Sequence, residues 1–414
     1  MNKMPVILFL FLFFSVPSIA QQTIKGRVVN ATTGIPIAGS SVFISNSSKG
    51  TTTDNLGQFE LKDVPSGNHD LVISSIGYET NVYSFTHDQL PLRLKVELME
   101  KVKELENVTL EPYVEEGWNK WGKTFTDYFI GSSENAAYCK IRNGKAIKFR
   151  YYKKSNRLEA YSDEPVFVEN KALGYIIHYQ LEDFEISFRD RTFLYAGYPL
   201  FEEMHEARNA LKAKWEVRRQ TAYYGSVTHF MKSLFDNQLL QNGFEVRKAI
   251  RIINTEKERV KAIQSKVFNR QKAGGTEIIV TDSFEGLQRD TIAYYSEVMK
   301  QDDYKEIIEK VFLPADSLIA ESQGDYKAVY FTDYLFIVYK NELEEEGFAR
   351  IAYPARKPRM QQSYINLKDD NFITIDKKGA YYNPRFLYTT GYWAWSEKTA
   401  NMLPADYNVD KKDQ

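Results

Sequence analysis

Ser226 and His229 stand three residues apart. That is the spacing at which a nucleophile and its base meet across one helical turn. An activated serine also needs a group to orient the base and a strained turn to present the hydroxyl. No Gly-x-Ser-x-Gly surrounds Ser226, so its expected role is a helix N-cap accepting an orphan backbone N–H. His69, His87, His178 and His205 fit no His-x-x-Glu or His-Glu-x-x-His pattern, which leaves no zinc peptidase signature. Glu202 and His205, at i and i+3 of an expected helix, could share a metal, but no third ligand accompanies them. They read as solvated surface.

Carboxylate pairs are plentiful, among them Asp163-Glu164 and Asp183 with Glu185. Glycosidic chemistry needs two carboxyl groups roughly 5 to 10 Å apart across a cleft, which spacing along a chain does not fix. Glu342, Glu344, Glu345 and Glu346 read as a solvated acidic face. Asp54 and Asn55 lack the further oxygens of a calcium site and are expected to make a turn. The single cysteine, Cys139, excludes an internal disulfide and reads as a small core residue. Gly274-Gly275 is a polar loop, and no P-loop appears. No catalytic, cofactor-binding or metal-ligating residues are therefore expected.

The aromatics are the remaining candidates: 28 Tyr, 26 Phe and 5 Trp. Tyr223-Tyr224, Tyr381-Tyr382 and Tyr392-Trp393-Ala394-Trp395 could offer flat platforms to sugar rings or to a protein. Core packing accounts for most of them. Trp393 and Trp395 are the first candidates for ligand contact.

The elements that must position these residues follow from periodicity. Trp118, Trp121, Phe125, Tyr128 and Phe129 mark an amphipathic helix closed by Gly131. Runs at Ala146–Tyr152, Arg157–Tyr161, Gly174–Gln180, Phe184–Arg189 and Thr192–Tyr195 read as a meander of antiparallel strands. Helices are expected over Phe201–Arg218, from about Ser226 to Leu240, and over Asp302–Phe312. Further strands are expected at Glu277–Thr281, Ala328–Thr332, Leu335–Tyr339 and Phe372–Ile375.

Residues 1–20 have one early Lys, an apolar run from Val6 to Phe14 and Ser18-Ile19-Ala20. Small residues at −3 and −1 predict cleavage between Ala20 and Gln21 by a signal peptidase. The apolar run is too short to span about 30 Å of hydrocarbon, and no later segment reaches 18 apolar residues. No transmembrane segment is expected in the mature chain.

Between residues 22 and 98, short strand-like runs alternate with turns at intervals of about 8 to 12 residues, the pattern of a small β-sandwich. Gly26-Arg27-Val28, Gly34-Ile35-Pro36-Ile37-Ala38-Gly39, Gly50-Thr51-Thr52-Thr53-Asp54, Gly57-Gln58-Phe59 and Ile76-Gly77-Tyr78 resemble the carboxypeptidase-regulatory-like (transthyretin-like) domain. The resemblance is to envelope proteins of the Bacteroidota type. It implies a seven-stranded sandwich with no catalytic residues of its own, placed just after a signal peptide. In TonB-dependent receptors a plug and barrel follow this module, but only about 300 residues remain here, and they carry charge throughout.

Residues 99–117 read as a linker, with a brief strand at Val108–Leu110, and 118–408 as a larger α+β domain with mainly antiparallel strands. That part resembles the portion of unknown function in carboxypeptidase-like regulatory domain-containing proteins. The resemblance rests on Phe129-Ile130-Gly131, Ala160-Tyr161-Ser162-Asp163-Glu164-Pro165, Gly197-Tyr198-Pro199-Leu200-Phe201 and Gly391-Tyr392-Trp393. The polar stretch Asn254–Gly275 is a place where it would divide.

The 54 basic and 55 acidic residues nearly cancel, so bulk charge gives no case for nucleic-acid binding. The expected protein is exported, periplasmic or outer-membrane-associated, and non-enzymatic. Its sandwich would be a docking module and its larger domain a binding module. The expected partner is an outer-membrane or periplasmic protein, with a glycan second. The alternative is a glycan hydrolase using a carboxylate pair of the large domain.

Overall fold

The computed structural model describes residues 22–101, 111–273, 289–352 and 355–409. The leader with Ala20 and Gln21, the strands expected at Val108–Leu110 and Glu277–Thr281, and Gly274-Gly275 lie outside them.

The N-terminal sandwich has seven strands: β1 (Ile24–Asn30), β2 (Ser41–Ile44), β3 (Gly50–Thr52), β4 (Gln58–Leu61), β5 (Asn68–Ser74), β6 (Asn81–Thr86) and β7 (Leu92–Leu98). They form two sheets, β4-β1-β7 and β3-β2-β5-β6. β1 and β7 pair in parallel, Ile24 opposite Leu92, and the other pairs are antiparallel. Alternate residues Val42 and Ile44, Phe59 and Leu61, and Leu71 and Ile73 fill the space between the sheets. Gly26 is obligatory there, since a Cβ would lie 2.5 Å from the Leu94 carbonyl oxygen and 2.6 Å from the Phe59 ring.

The described residues fall into two compact units. The first holds those up to Trp121 with Ile141–Val168 and Ile176–Glu203; the second holds Gly122–Lys140, Glu169–Tyr175 and those from Met204 on. After the sandwich come β8 (Val114–Glu116), α1 (Trp118–Phe129), β9 (Cys139–Ile141), β10 (Ile147–Tyr152), β11 (Arg157–Ser162), β12 (Val166–Asn170), β13 (Tyr175–Ser187) and β14 (Thr192–Glu203). These strands make one sheet, β8-β10-β11-β13-β12-β9, with β14 on β13. The two strands expected between Gly174 and Arg189 are thus a single long one.

β14 also meets the sandwich within the first unit. The Asn46 N–H donates to the Pro199 carbonyl at 2.7 Å and the Phe201 N–H to the Ser47 carbonyl at 2.9 Å. This pairing holds residues 199–201 extended, so the helix expected from Phe201 starts only at Asn209. Glu202 and His205 are therefore not one helix face. Glu202 is on β14 and pairs with His178 at 3.2 Å, while His205 precedes the helix.

The second unit continues with α2 (Asn209–Tyr223), α3 (Val227–Phe235), β15 (Phe244–Ile253), α4 (Thr255–Ala273), α5 (Arg289–Lys300), β16 (Tyr304–Ile308), β17 (Ile319–Gln323), β18 (Tyr326–Val329) and β19 (Tyr334–Leu343). It ends with α6 (Glu346–Ile351), β20 (Met360–Leu367), β21 (Ile373–Asp376), β22 (Tyr381–Tyr382), β23 (Leu387–Gly391) and α7 (Tyr392–Ser396). Five strands form the sheet β16-β15-β19-β20-β23 and four form β17-β18-β21-β22. The helix expected over Asp302–Phe312 is corrected to the edge strand β16, where register with β15 sets Glu306 opposite Arg251. α3 stops at Phe235 because Asn237 takes a left-handed conformation, φ 55°.

The core of the second unit joins Phe230, Met231 and Leu234 of α3 to Phe244 and Val246 of β15, Leu335 and Ile337 of β19, and Ile373 and Ile375 of β21. The architecture is an N-terminal β-sandwich followed by a larger, mostly antiparallel β-rich part with few helices.

Candidate functional site

Several groups capable of chemistry meet in the second unit, where the start of α3 meets the ends of β19 and α7. Gly225 precedes α3 with φ 75°, and a Cβ there would lie 2.5 Å from Gln361 Oε1 and 2.7 Å from the Tyr339 ring. This tight turn aims Ser226 at the helix. Ser226 Oγ accepts the His229 backbone N–H at 3.0 Å, so the serine is the N-cap expected from its position.

His229 is 6% exposed. Its ring packs against Phe244 and Tyr223 at 5.0 and 5.2 Å between centroids. Nδ1 accepts the Gly225 N–H at 3.2 Å, which places any ring proton on Nε2. Burial lowers its pKa to about 4. The imidazole is neutral and tied to backbone, and the hydroxyl bonds to an amide. No nucleophile–base contact exists between them.

The acidic run near Glu344 is corrected from a solvated face. Glu344 is 2% exposed; its carboxylate takes both terminal nitrogens of Arg356 and the Arg359 N–H, the last at 3.0 Å. Glu345 accepts the Glu134 N–H at 2.6 Å, and burial raises its pKa. Gln361 donates to Glu342 at 3.4 Å, and burial pushes that carboxyl up to about 7. Of the four, Glu346 is the exposed one, paired with Arg350. The register shift between Tyr339 and Leu343 breaks the alternation that would have kept the run outside.

Glu397 follows α7 and accepts the Val227 N–H at 3.4 Å, at the start of α3. Burial pushes it up to about 7 and pushes its neighbour Lys398 down to about 8. Burial, then the charge of Glu345, raises the phenol of Tyr392. Glu342, Glu345 and Glu397 thus surround one buried tyrosine and hold protons more tightly than exposed carboxyls. Sequence reasoning missed this set, because nothing in the local pattern marks Glu342 or Glu397 as covered.

Trp393 is 2% exposed. Its indole N–H donates to the Gly225 carbonyl at 2.7 Å and its ring lies 5.4 Å from Phe230, so its faces are occupied by core. Trp395 is half-buried and stacks on Tyr392 at 5.7 Å. Tyr381 packs on the core, and the Tyr382 hydroxyl donates to Asp376 at 3.1 Å.

The other singled-out residues are also engaged. Burial pushes the Cys139 thiol up to about 12, which keeps it protonated. Asp54 Oδ1 accepts the N–H groups of Leu56 and Gln58 at 2.9 and 2.8 Å, the expected turn. Glu164 accepts from Asn143 at 2.9 Å, and Glu185 binds Arg157 at 2.7 Å. Among the described residues, no group of three His, Cys, Asp or Glu side chains is arranged to hold a metal. A surface recess of about 570 Å³ is lined by other residues, including Ile252, Ile253, Glu256, Tyr304 and Lys305.

Residues 24–110 match the family model of the CarboxypepD_reg-like domain. No curated protein matches the chain. Among solved structures, the chain is similar to an N-terminal interface mutant of a type II cohesin–X–dockerin complex from Acetivibrio cellulolyticus. That match has 28% identity and a TM-score of 0.16, and it covers 19% of this chain and about half, 55%, of the other. A putative membrane-associated protein of unknown function from Bacteroides fragilis is 9% identical at a TM-score of 0.16, covering 89% of this chain and 98% of that one.

Proposed function

We propose, from the CarboxypepD_reg-like domain at residues 24–110, that this is an exported, non-enzymatic protein of the cell envelope. It resides in the periplasm or at the outer membrane after cleavage between Ala20 and Gln21. The sandwich docks it to an envelope component, and the larger part recognises a ligand or a protein partner, with Trp395 the remaining aromatic candidate for that contact.

One observation carries the non-enzymatic reading. The side chains best suited to chemistry are each spent on holding the fold: Ser226 on an amide, His229 on the Gly225 N–H and Glu344 on Arg356. The test is a crosslinked pull-down of the tagged protein from intact envelopes, read by mass spectrometry. A stoichiometric envelope protein is expected; recovery of the chain alone would overturn the binding role.

The hydrolase reading keeps one observation in its favour, the carboxyls of Glu342 and Glu397 near 7. Neither lines the recess at Ile252 and Tyr304. Reducing-end release from envelope glycans that disappears in Glu342→Gln or Glu397→Gln would promote it.

A further inference from the structure

Two histidines of the sandwich turn to one oxygen. His69 Nε2 lies 2.9 Å from the Pro65 carbonyl oxygen, and His87 Nδ1 lies 3.0 Å from it. A carbonyl only accepts, so each of these nitrogens carries its ring's proton and donates. The rings come from separate segments. His69 is on β5, His87 opens the short turn after β6, and Pro65 stands between β4 and β5.

The backbone under both rings is held. His69 opposes Phe85 in the β5–β6 register, and their rings lie 5.7 Å apart between centroids. The His87 N–H donates to the Gly67 carbonyl at 3.0 Å, and the His87 carbonyl accepts the Leu90 N–H at 3.1 Å. Gly67 sets no side chain beside His69; a Cβ there would lie 3.9 Å from Nε2. Pro65, His69 and His87 are half-buried and Asp88 is exposed, so water reaches this turn. A carbonyl that water reaches needs no side-chain donor, yet this one has two imidazoles.

We propose that His69, His87 and the Pro65 carbonyl form a binding site for one divalent late transition cation, with Cu2+ preferred. Neutral imidazole suits copper, nickel and zinc, and of these copper binds a given set of nitrogen and oxygen ligands most tightly. Ligands about 2.1 Å from a cation and at right angles around it stand about 3.0 Å from one another. That is the spacing of each ring nitrogen from the carbonyl oxygen. On binding, each of the two protons moves through solvent to its ring's other nitrogen. The freed lone pair then forms the metal bond in place of the hydrogen bond, and both rings stay neutral. The cation bonds to the oxygen as well, and water completes its coordination. Because one of the three ligands is main chain, no sequence pattern of side chains marks the site.

The test uses the full chain from Gln21 on, stripped of metal with a chelator. Cu2+ titrated into it at micromolar protein should bind at one equivalent. Electron paramagnetic resonance should show the hyperfine pattern of two coordinated imidazole nitrogens. Ni2+ and Zn2+ should bind more weakly, and Cu2+ should raise the melting temperature. His69→Gln and His87→Gln each keep an N–H for the Pro65 carbonyl, and circular dichroism checks their fold. Each should weaken Cu2+ binding by at least about tenfold, the least that even an outer partner of a metal ligand costs. His178→Gln and His205→Gln should change nothing, which separates the pair from a lone imidazole elsewhere on the surface. Copper held equally by the His69 and His87 variants overturns the site. So does a wild-type spectrum with a single imidazole, or a wild-type chain that takes up no copper.

Discussion

The Trp393 indole N–H donates to the Gly225 carbonyl at 2.7 Å, across 168 residues of chain. The bond ties the start of α7 to the turn that aims Ser226 into α3. Replacing Trp393 by Phe keeps most of the apolar volume but strands a buried carbonyl. The expected loss is about 1–3 kcal/mol, read as a lower denaturant midpoint with unchanged slope. Iodide quenching should leave the Trp393 fraction of the fluorescence untouched; full quenching would show that it is not a core residue.

Ser226→Ala removes the N-cap of α3 and should cost about 1 kcal/mol. Ser226→Asp supplies another acceptor for the His229 N–H and should recover most of that loss. A serine whose aspartate variant is no better than alanine is not acting as a cap.

Glu342 and Glu397, both near 7 in the folded chain, have an unfolded value of about 4.3. Their raised values mean that the stability they confer is complete below about pH 4 and is lost as pH rises through about 7. His229, lowered to about 4, acts oppositely, losing stability as pH falls from about 6.5. The double variant Glu342→Gln, Glu397→Gln removes only the first contribution. Its melting temperature should match wild type near pH 4 and exceed it progressively as pH rises to about 7. A difference that stays flat across that window would contradict the burial of these carboxyls.

Glu344→Gln leaves Arg356 without its charged partner. Arg356 keeps some access to water, so the expected cost is about 2 kcal/mol, below that of a fully buried pair. Glu344→Leu with Arg356→Met should regain much of it, and a calorimetric comparison of the three variants decides the point.

Gly26→Ala should cost about 1–3 kcal/mol. The added methyl would meet the Leu94 carbonyl oxygen and the Phe59 ring, and a backbone oxygen inside a paired strand has little room to yield. A thermal melt that matches wild type would mean that β1 and β7 are not packed as described.

The amino-acid pattern by itself determined the sandwich, because its strands are short, its turns carry Gly, Asn and Asp at positions needing special backbone, and its core residues alternate with period two. It also determined α1 and the cap at Ser226, both of which depend on neighbours within one or two helical turns. Tertiary structure decided the rest through contacts that no local window holds. Phe201 is extended because Ser47 pairs with it, and Glu306 is in a strand because Arg251 lies opposite. Burial of Glu342, Glu344 and Glu397, and of the Trp393 ring, likewise depends on partners 12 to 170 residues away. An acidic run or an aromatic cluster looks the same in sequence whether water or protein covers it; only the packed fold supplies the desolvation that changes its chemistry.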